Sequence, residues 1–462
     1  MTLSRRAFLS GTAGLVLAGT LPSNGGAADG RKTLRLASRQ VEIAGKAATR
    51  YGISDSAGSF GLTLDEGDMF DVRLENGLGA PSALHWHGLT CPWRQDGVPY
   101  VSQPPIAPGG RQDYKFPATP SGTRFMHSHF GLQEQDLLAA PLIIREASLR
   151  GRDLQEVVVL LGDFSWKPPQ EIFEGLRKPA GGMAAMHMDR GGPDLNDVDY
   201  DAYLANDRTL DDPAVIAVER GGRIRLRLIN GGSSTNFTID LGSLTGSLVA
   251  VDGNPVLPLN GSRFPLGIAQ RADIEFTLPG GGQAVPVLAL GEGTPMRTGI
   301  ILKPPAASVS RISPKAETAG PVIGLEQERM LKAAVALPER AVDRSIPVAL
   351  DGTMMGYRWS MPIDGMGGLP ATVAQGERVE LVFRNLTPMS HPMHLHGHVF
   401  QVTEINGTTL KGALRDTIMV PPEATVKVVF DADNPGLWAF HCHNLYHMAA
   451  GMFSTLVYLG FS

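Results

Sequence analysis

The amino-acid sequence predicts an all-β protein built as three consecutive copies of one two-sheet β-sandwich domain. Three observations lead there. Glycine and proline number 55 and 34 among 462 residues while aromatic residues are 6 %, the balance of short strands joined by Gly/Pro turns. Segments such as Glu156 to Leu161 and Thr425 to Phe430 alternate apolar and polar side chains, as a strand with one buried face does. One pattern also returns three times: Glu66-Gly-Asp-Met-Phe-Asp-Val-Arg-Leu-Glu-Asn76, Arg220-Gly-Gly-Arg-Ile-Arg-Leu-Arg-Leu-Ile-Asn230 and Gln375-Gly-Glu-Arg-Val-Glu-Leu-Val-Phe-Arg-Asn385. Each is a Gly turn, an alternating strand and a closing Asn suited to a turn. The closing residues stand 154 and 155 positions apart, and a fixed period outranks local readings.

In chain order, the first element is an address. Ser4-Arg5-Arg6-Ala7-Phe8-Leu9 resembles the twin-arginine export signal, an apolar stretch from Gly11 to Leu21 follows, and small residues near Gly26-Ala27-Ala28 offer a cleavage point. The stretch is too short to span a bilayer, so residues 1–28 read as a signal peptide rather than an anchor. The twin-arginine machinery carries proteins that fold before export, often around a cofactor. The destination is the periplasm or the cell exterior. The repeats then set domain one at 33–147, domain two at 154–305 and, after an Ala/Ser/Pro-rich linker, domain three at 320–462. Residues 167–212 are long and rich in Gly, Met and Asp, an insertion or loop region. Charge is near balance, 41 basic against 46 acidic side chains, which argues against nucleic acid or an anionic membrane as partner. Only Cys91 and Cys442 are present, so at most one disulfide could form, and none if Cys442 binds metal.

Ten of the 12 histidines fall in four clusters: His85-Trp-His87-Gly88, His127-Ser-His129, His391-Pro-Met-His394-Leu-His396-Gly397, and His441-Cys442-His443 with His447. On a strand, His-x-His puts both imidazoles on one face, a pairing that suits copper, zinc, iron or nickel. One such pair means little. The repeat gives four of them weight, because His85 follows Asn76 by nine residues as His394 follows Asn385, and Gly122 precedes His127 by five as Gly436 precedes His441. Domains one and three thus carry equivalent pairs, and domain two carries none. Eight imidazoles are too many for one metal ion and suit a cluster of about three. As ordinary core histidines they would demand an unusual number of polar partners.

Domain three carries more. Cys442 points to the opposite face from His441 and His443, where His391, His447 and Met452 can join it. Two His, one Cys and a weak axial Met make the blue-copper electron-transfer set. Domain one has Ser82, Ser128, Gln133 and Leu138 at the corresponding places, the same domain without that site. Adjacent residues of one strand would then join a thiolate copper to the cluster.

At these residues the chain resembles the multicopper oxidases, a family that includes laccases, ascorbate oxidases and bacterial cuprous oxidases. The resemblance covers the whole mature chain and implies cupredoxin-like Greek-key sandwiches. It further implies four copper ions: His391, Cys442, His447 and Met452 as type 1 ligands taking electrons from substrate, His85 and His394 as type 2 ligands, and His87, His127, His129, His396, His441 and His443 around the type 3 pair. His398 matches a family position that is not a ligand. Asp96 resembles the acid that feeds protons towards the cluster, against a plain turn role before Gly97. Asp416 resembles the acid near the substrate-facing type 1 histidine, with a structural salt bridge as its rival. Bacterial relatives often carry an acid directly after the last type 1 histidine, where this chain has Met448.

The implied reaction is oxidation of a reducing substrate, phenols or aromatic amines as in laccases, coupled to reduction of dioxygen to water. The alternative is a cuprous oxidase acting in copper tolerance. Met183, Met186 and Met188 flank His187, and Met354, Met355 and Met361 sit early in domain three; thioethers favour Cu(I) but also fill irregular core gaps. A copper nitrite reductase, with two domains, and a non-enzymatic envelope protein, which would have lost the ligands, fit less well.

Overall fold

The closing asparagine of the repeat explains why the same strand forms three times. In the computed structural model, which describes residues 30–178, 194–363 and 370–461, the repeats become strands Met69–Asn76, Arg223–Asn230 and Arg378–Asn385. Asn76 Nδ2 donates to the Ala80 and Ile106 carbonyls while its Oδ1 accepts from Leu78 N. Asn230 ties Thr235, Leu266 and Gly232 in the same way, and Asn385 ties Met389, Val420 and Thr387. All three are buried. A buried amide that satisfies two carbonyls and one N–H fixes the turn into the next strand.

Each repeat strand occupies the same place in its sheet. It lies parallel to the first strand of its unit, Lys32–Ile43, Gln155–Phe164 or Arg344–Thr353, and antiparallel to Arg111–Pro117, Arg271–Thr277 or Thr425–Asp431. A second sheet faces each of these. Their strand orders are Leu62–Asp65, Ala139–Arg145, Gly122–Ser128, Leu84–His87; then Ala214–Ala217, Arg297–Lys303, Val285–Gly291, Phe237–Asp240, Arg263–Leu266; then Ala371–Val373, Phe453–Tyr458, Leu437–Cys442, His391–Leu395, Thr417–Val420. The architecture is three consecutive cupredoxin-type sandwiches, and the predicted fold class holds. Residues 1–28, where the export signal is expected, lie outside the described residues. No helix among the described residues is long and apolar enough to cross a membrane.

One strand departs from its expected pattern. Arg223–Asn230 alternates in sequence like a half-buried strand, yet all but its first residue are buried. Its polar face is covered by domain one: Arg225 and Arg227 donate to Glu146, and Arg227 reaches Thr123 Oγ1 at 3.0 Å. Arginines forked onto carboxylates make a buried face tolerable where single charges would not be. Cys91 and Cys442 are both buried and free.

Candidate metal centres

Strand pairing assembles the histidines. His85 stands opposite His127 between Leu84–His87 and Gly122–Ser128, and His394 stands opposite His441 between His391–Leu395 and Leu437–Cys442. The two half-sites meet face to face. The His87 and His394 rings stack at 3.8 Å and 14°, and those of His85 and His396 lie 3.9 Å apart. His441 Nε2 is 3.0 Å from His396 Nε2 and 3.2 Å from His129 Nε2, and His443 Nε2 is 3.3 Å from His127 Nε2. Three triads result, each with its ligand atoms within 4.8 Å of one another: His85, His87 and His394; His87, His127 and His443; His129, His396 and His441. Middle-domain Ile239, also nine residues after the repeat asparagine, takes the place of His85 and His394 and packs in its own core.

These rings are arranged for cations. His127 and His441 bond through Nδ1 to the Ser128 and Cys442 carbonyls, at 3.1 and 2.9 Å, which turns their Nε2 lone pairs onto neighbouring nitrogens. His85 and His394 bond through Nδ1 to the Asp96 and Asp416 carbonyls, at 2.9 and 2.8 Å. Their Nε2 atoms, and Nδ1 of His87, are buried with no hydrogen-bond partner. Burial, deepened by the neighbouring imidazoles, holds His87, His129, His394, His396 and His443 well below the ordinary histidine value. His441 is pushed down to about 3, chiefly by burial. Neutral rings with converging lone pairs repel one another unless metal ions lie between them.

The second centre lies across the same strand. Cys442 Sγ is 3.7 Å from Nδ1 of both His391 and His447, which are 3.1 Å from each other. Thr387 Oγ1, 2.7 Å from His391 Nε2, orients that ring. His447 sits in the first turn of the short helix Leu445–Ala449, whose cap Asn444 accepts from the amides of Tyr446 and His447. Buried Met452 is tied to both partners: its carbonyl accepts from Cys442 N at 3.1 Å and its amide donates to the His447 carbonyl at 3.0 Å. Burial pushes the Cys442 thiol far up, so a thiolate is tenable here only beside a cation.

The acids fall differently. Asp96 sits between the halves, Oδ2 2.8 Å from His396 Nδ1 and Oδ1 3.1 Å from His85 Nδ1. Asp416 was expected near the substrate-facing histidine of the Cys442 site. It stands instead at the eight-histidine cluster, Oδ1 3.0 Å from His87 Nε2, and forms a bidentate pair with Arg271. The reason is register: His394 faces Thr417, so residue 416 projects beside His394 and not His391. The acid at the Cys442 site is Asp197, Oδ2 2.9 Å from His447 Nε2 and bonded by Asn444 Nδ2 at 3.2 Å. It lies in the long 167–212 segment, where no motif marks it. Glu134 was missed as well. It is buried, with Oε2 3.3 Å from His127 Nδ1, and aligning the two His-x-His pairs would have set it against Met448.

His398 bonds to the His396 carbonyl and to Tyr458 Oη, at 2.9 and 2.6 Å, and joins no ligand group. Met183, Met186, His187 and Met188 lie outside the described residues. Met361 is buried in the core, Met354 packs against it, and Met355 is exposed.

Three family models, each described as multicopper oxidase, match residues 36–148, 155–283 and 341–459. The chain is 32 % identical over 409 residues to the multicopper oxidase MmcO of Mycobacterium tuberculosis, covering 85 % of this chain and 80 % of that one. It is 28 % identical to a copper resistance protein A homolog of Pseudomonas syringae pv. tomato, covering 97 % and 98 %. Among solved structures, a multi-copper oxidase from Pseudomonas thermotolerans superposes with a TM-score of 0.72 at 26 % identity, covering 93 % of this chain and 98 % of that one. The laccase of Botrytis aclada gives 0.73 at 25 %, covering 92 % and 87 %.

Proposed function

Since this chain belongs to the multicopper oxidase family, copper-dependent oxidoreductases that use dioxygen, we propose that it oxidises a small organic reductant at the Cys442 site and reduces dioxygen at the eight-histidine cluster. Bound copper would supply the one-electron acceptor at Cys442 and the multi-electron site for dioxygen. His391, Cys442, His447 and Met452 would hold one ion, His85 and His394 a second, and the remaining six histidines a pair, four in all. The observation that carries this reading is the strand ending at Cys442: its alternation gives the sulfur to one site and His441 and His443 to the other, so that one backbone connects them.

The chain's own residues supply the rest. Asp197 beside His447 Nε2 is placed to take the proton a phenol or amine loses with its electron. Asp96, within hydrogen-bond reach of His85 and His396, is placed to hold a proton where water forms. Trp359, its ring 4.1 Å from that of His447, and Tyr357, at 6.0 Å, lie against that histidine. A carboxylate and two aromatic rings suit an organic donor better than Cu(I), which favours thioethers. Cu(I) oxidation in copper tolerance is the second reading, prompted by the Met183, Met186 and Met188 segment and by the copper resistance relative. Residues 1–28 support export by the twin-arginine machinery to the periplasm or beyond.

Copper analysis and oxygen uptake test this. Four coppers per chain, intense blue absorption, and uptake driven by a phenol are expected. Cys442→Ser should abolish the blue colour while leaving the cluster's copper in place. A copper-free, colourless protein after reconstitution would refute the assignment. Uptake that prefers Cu(I), and is lost on deleting Gly182 to Arg190, would favour the second reading.

A further inference from the structure

We propose that the middle domain, which contributes no ligand histidine, sets the geometry of the trinuclear site through Arg271. The proposal rests on the copper reading above. Arg271 opens strand Arg271–Thr277 of that domain and is 0 % exposed. Its Nη1 donates to Asp416 Oδ1 at 2.8 Å and its Nη2 to Oδ2, a two-point fork. The fork is braced from behind. Nη1 donates to the Ala269 carbonyl at 2.6 Å, Nε to the Thr123 carbonyl of domain one at 3.4 Å, and the Arg271 amide to Asp252 Oδ1 at 2.9 Å.

Asp416 passes this orientation to the cluster. With both oxygens held, Oδ1 lies 3.0 Å from His87 Nε2, while Thr417 Oγ1 bonds to Asp416 Oδ1 at 2.9 Å and stands 3.1 Å from the same Nε2. A fixed carboxylate keeps the proton of His87 on Nε2 and frees Nδ1, the buried unpartnered atom, to face a metal. The Asp416 carbonyl does the converse for His394, bonding at Nδ1 and freeing Nε2. One residue of domain two thus holds the carboxylate that fixes which nitrogen His87 presents, while the carbonyl of the same Asp416 serves His394.

Two further observations fit a built clamp. Gly88, in the left-handed region at φ +87°, lies under it: a Cβ there would come 2.7 Å from Asp416 Oδ2 and 2.9 Å from both Arg271 Nη2 and Arg124 Cδ. The fourth residue of the first histidine motif is therefore the one that leaves room for an inter-domain ion pair. The opposite acid, Asp96, meets His85, His396 and Cys91, and no arginine or lysine ion pair to it occurs among the described residues. The clamp belongs to one side only.

Arg271→Lys keeps the cation but loses the fork. Arg225→Lys, in a buried ionic cluster with Glu146, Asp273 and Glu275 that makes no ion pair with Asp416 among the described residues, controls for general damage to domain packing. The reconstituted holoenzymes are compared by copper content, visible absorption, type 2 electron paramagnetic resonance and oxygen turnover. In R271K we expect an unchanged blue band, an altered type 2 signal or lost cluster copper, and turnover down by about 10- to 100-fold, as for loss of a residue that orients a metal ligand. R225K should keep both copper signatures. Wild-type spectra and turnover in R271K, equal losses in R225K, a parallel loss of the blue band, or an R271K protein that does not fold would each overturn the proposal. A wild-type protein without blue absorption would instead refute the copper reading itself.

Discussion

Asn385→Ala separates what the repeat does for the fold from what it does for the Cys442 site. The substitution strands the Val420 carbonyl and the Thr387 amide and leaves the Met389 carbonyl only the Thr387 hydroxyl as donor, at 3.2 Å, all in buried residues. At about 1–3 kcal/mol for each stranded group, with some relief from entering water, the loss is about 3–5 kcal/mol. Asn230→Ala strands an equivalent set, the Thr235 and Leu266 carbonyls and the Gly232 amide, at the same cost. The two differ in their neighbours. Thr387, whose hydroxyl also bonds to Asn385 Oδ1 at 2.9 Å, lies 2.7 Å from His391 Nε2, so N385A should disturb that ring while N230A should not. Calorimetry of the copper-free proteins should show comparable drops in the melting transition, about 10 °C each. Visible spectra of the loaded proteins should show a shifted or weakened blue band in N385A alone. Equal spectra in the two variants, or a stability loss in either below about 1 kcal/mol, would refute a turn lock shared by fold and site.

Two other predictions follow from single groups. Asp197→Asn should keep the blue band but slow electron entry from phenols more than from an outer-sphere donor with no proton to lose, read by stopped-flow bleaching of the band; equal slowing with both donors would count against a proton-accepting role. His398 is pushed down to about 4 by burial, so the folded state favours its neutral form. Its contribution to stability is therefore complete above the ordinary value of about 6.5 and is lost as pH falls from there towards 4, by up to about 3 kcal/mol. The stability gap between the copper-free wild type and His398→Gln, measured by denaturant melts, should narrow by that order between pH 7 and pH 4. A pH-independent gap would refute it.

Fold and histidines were legible in the sequence because both depend on local periodicity. Alternation marks a strand, and the spacing from Asn76 to His85, matched from Asn385 to His394, needs no knowledge of how the domains dock. What sequence could not supply depends on docking. Asp197 is one aspartate in a long segment until Asn444 and His447 are seen to meet it. Arg225 and Arg227 read as the wet face of a strand, and only the arrival of Glu146 and Thr123 from domain one buries them. Asp416 went astray by register: sequence placed it beyond the His391 motif, whereas pairing of His394 with Thr417 decided which histidine it serves. Glu134 was within reach, since the aligned His-x-His pairs set it against Met448.

The acids are exchanged across the interface: Asp96 of domain one reaches His396 of domain three, and Asp416 of domain three reaches His87 of domain one. Neither domain alone can orient all its own histidines. The oriented set of imidazoles therefore exists only where domains one and three meet, since the carboxylate beside His87 comes from domain three and the one beside His396 from domain one. A change that parts the two domains therefore unfixes a histidine in each half of the cluster at once.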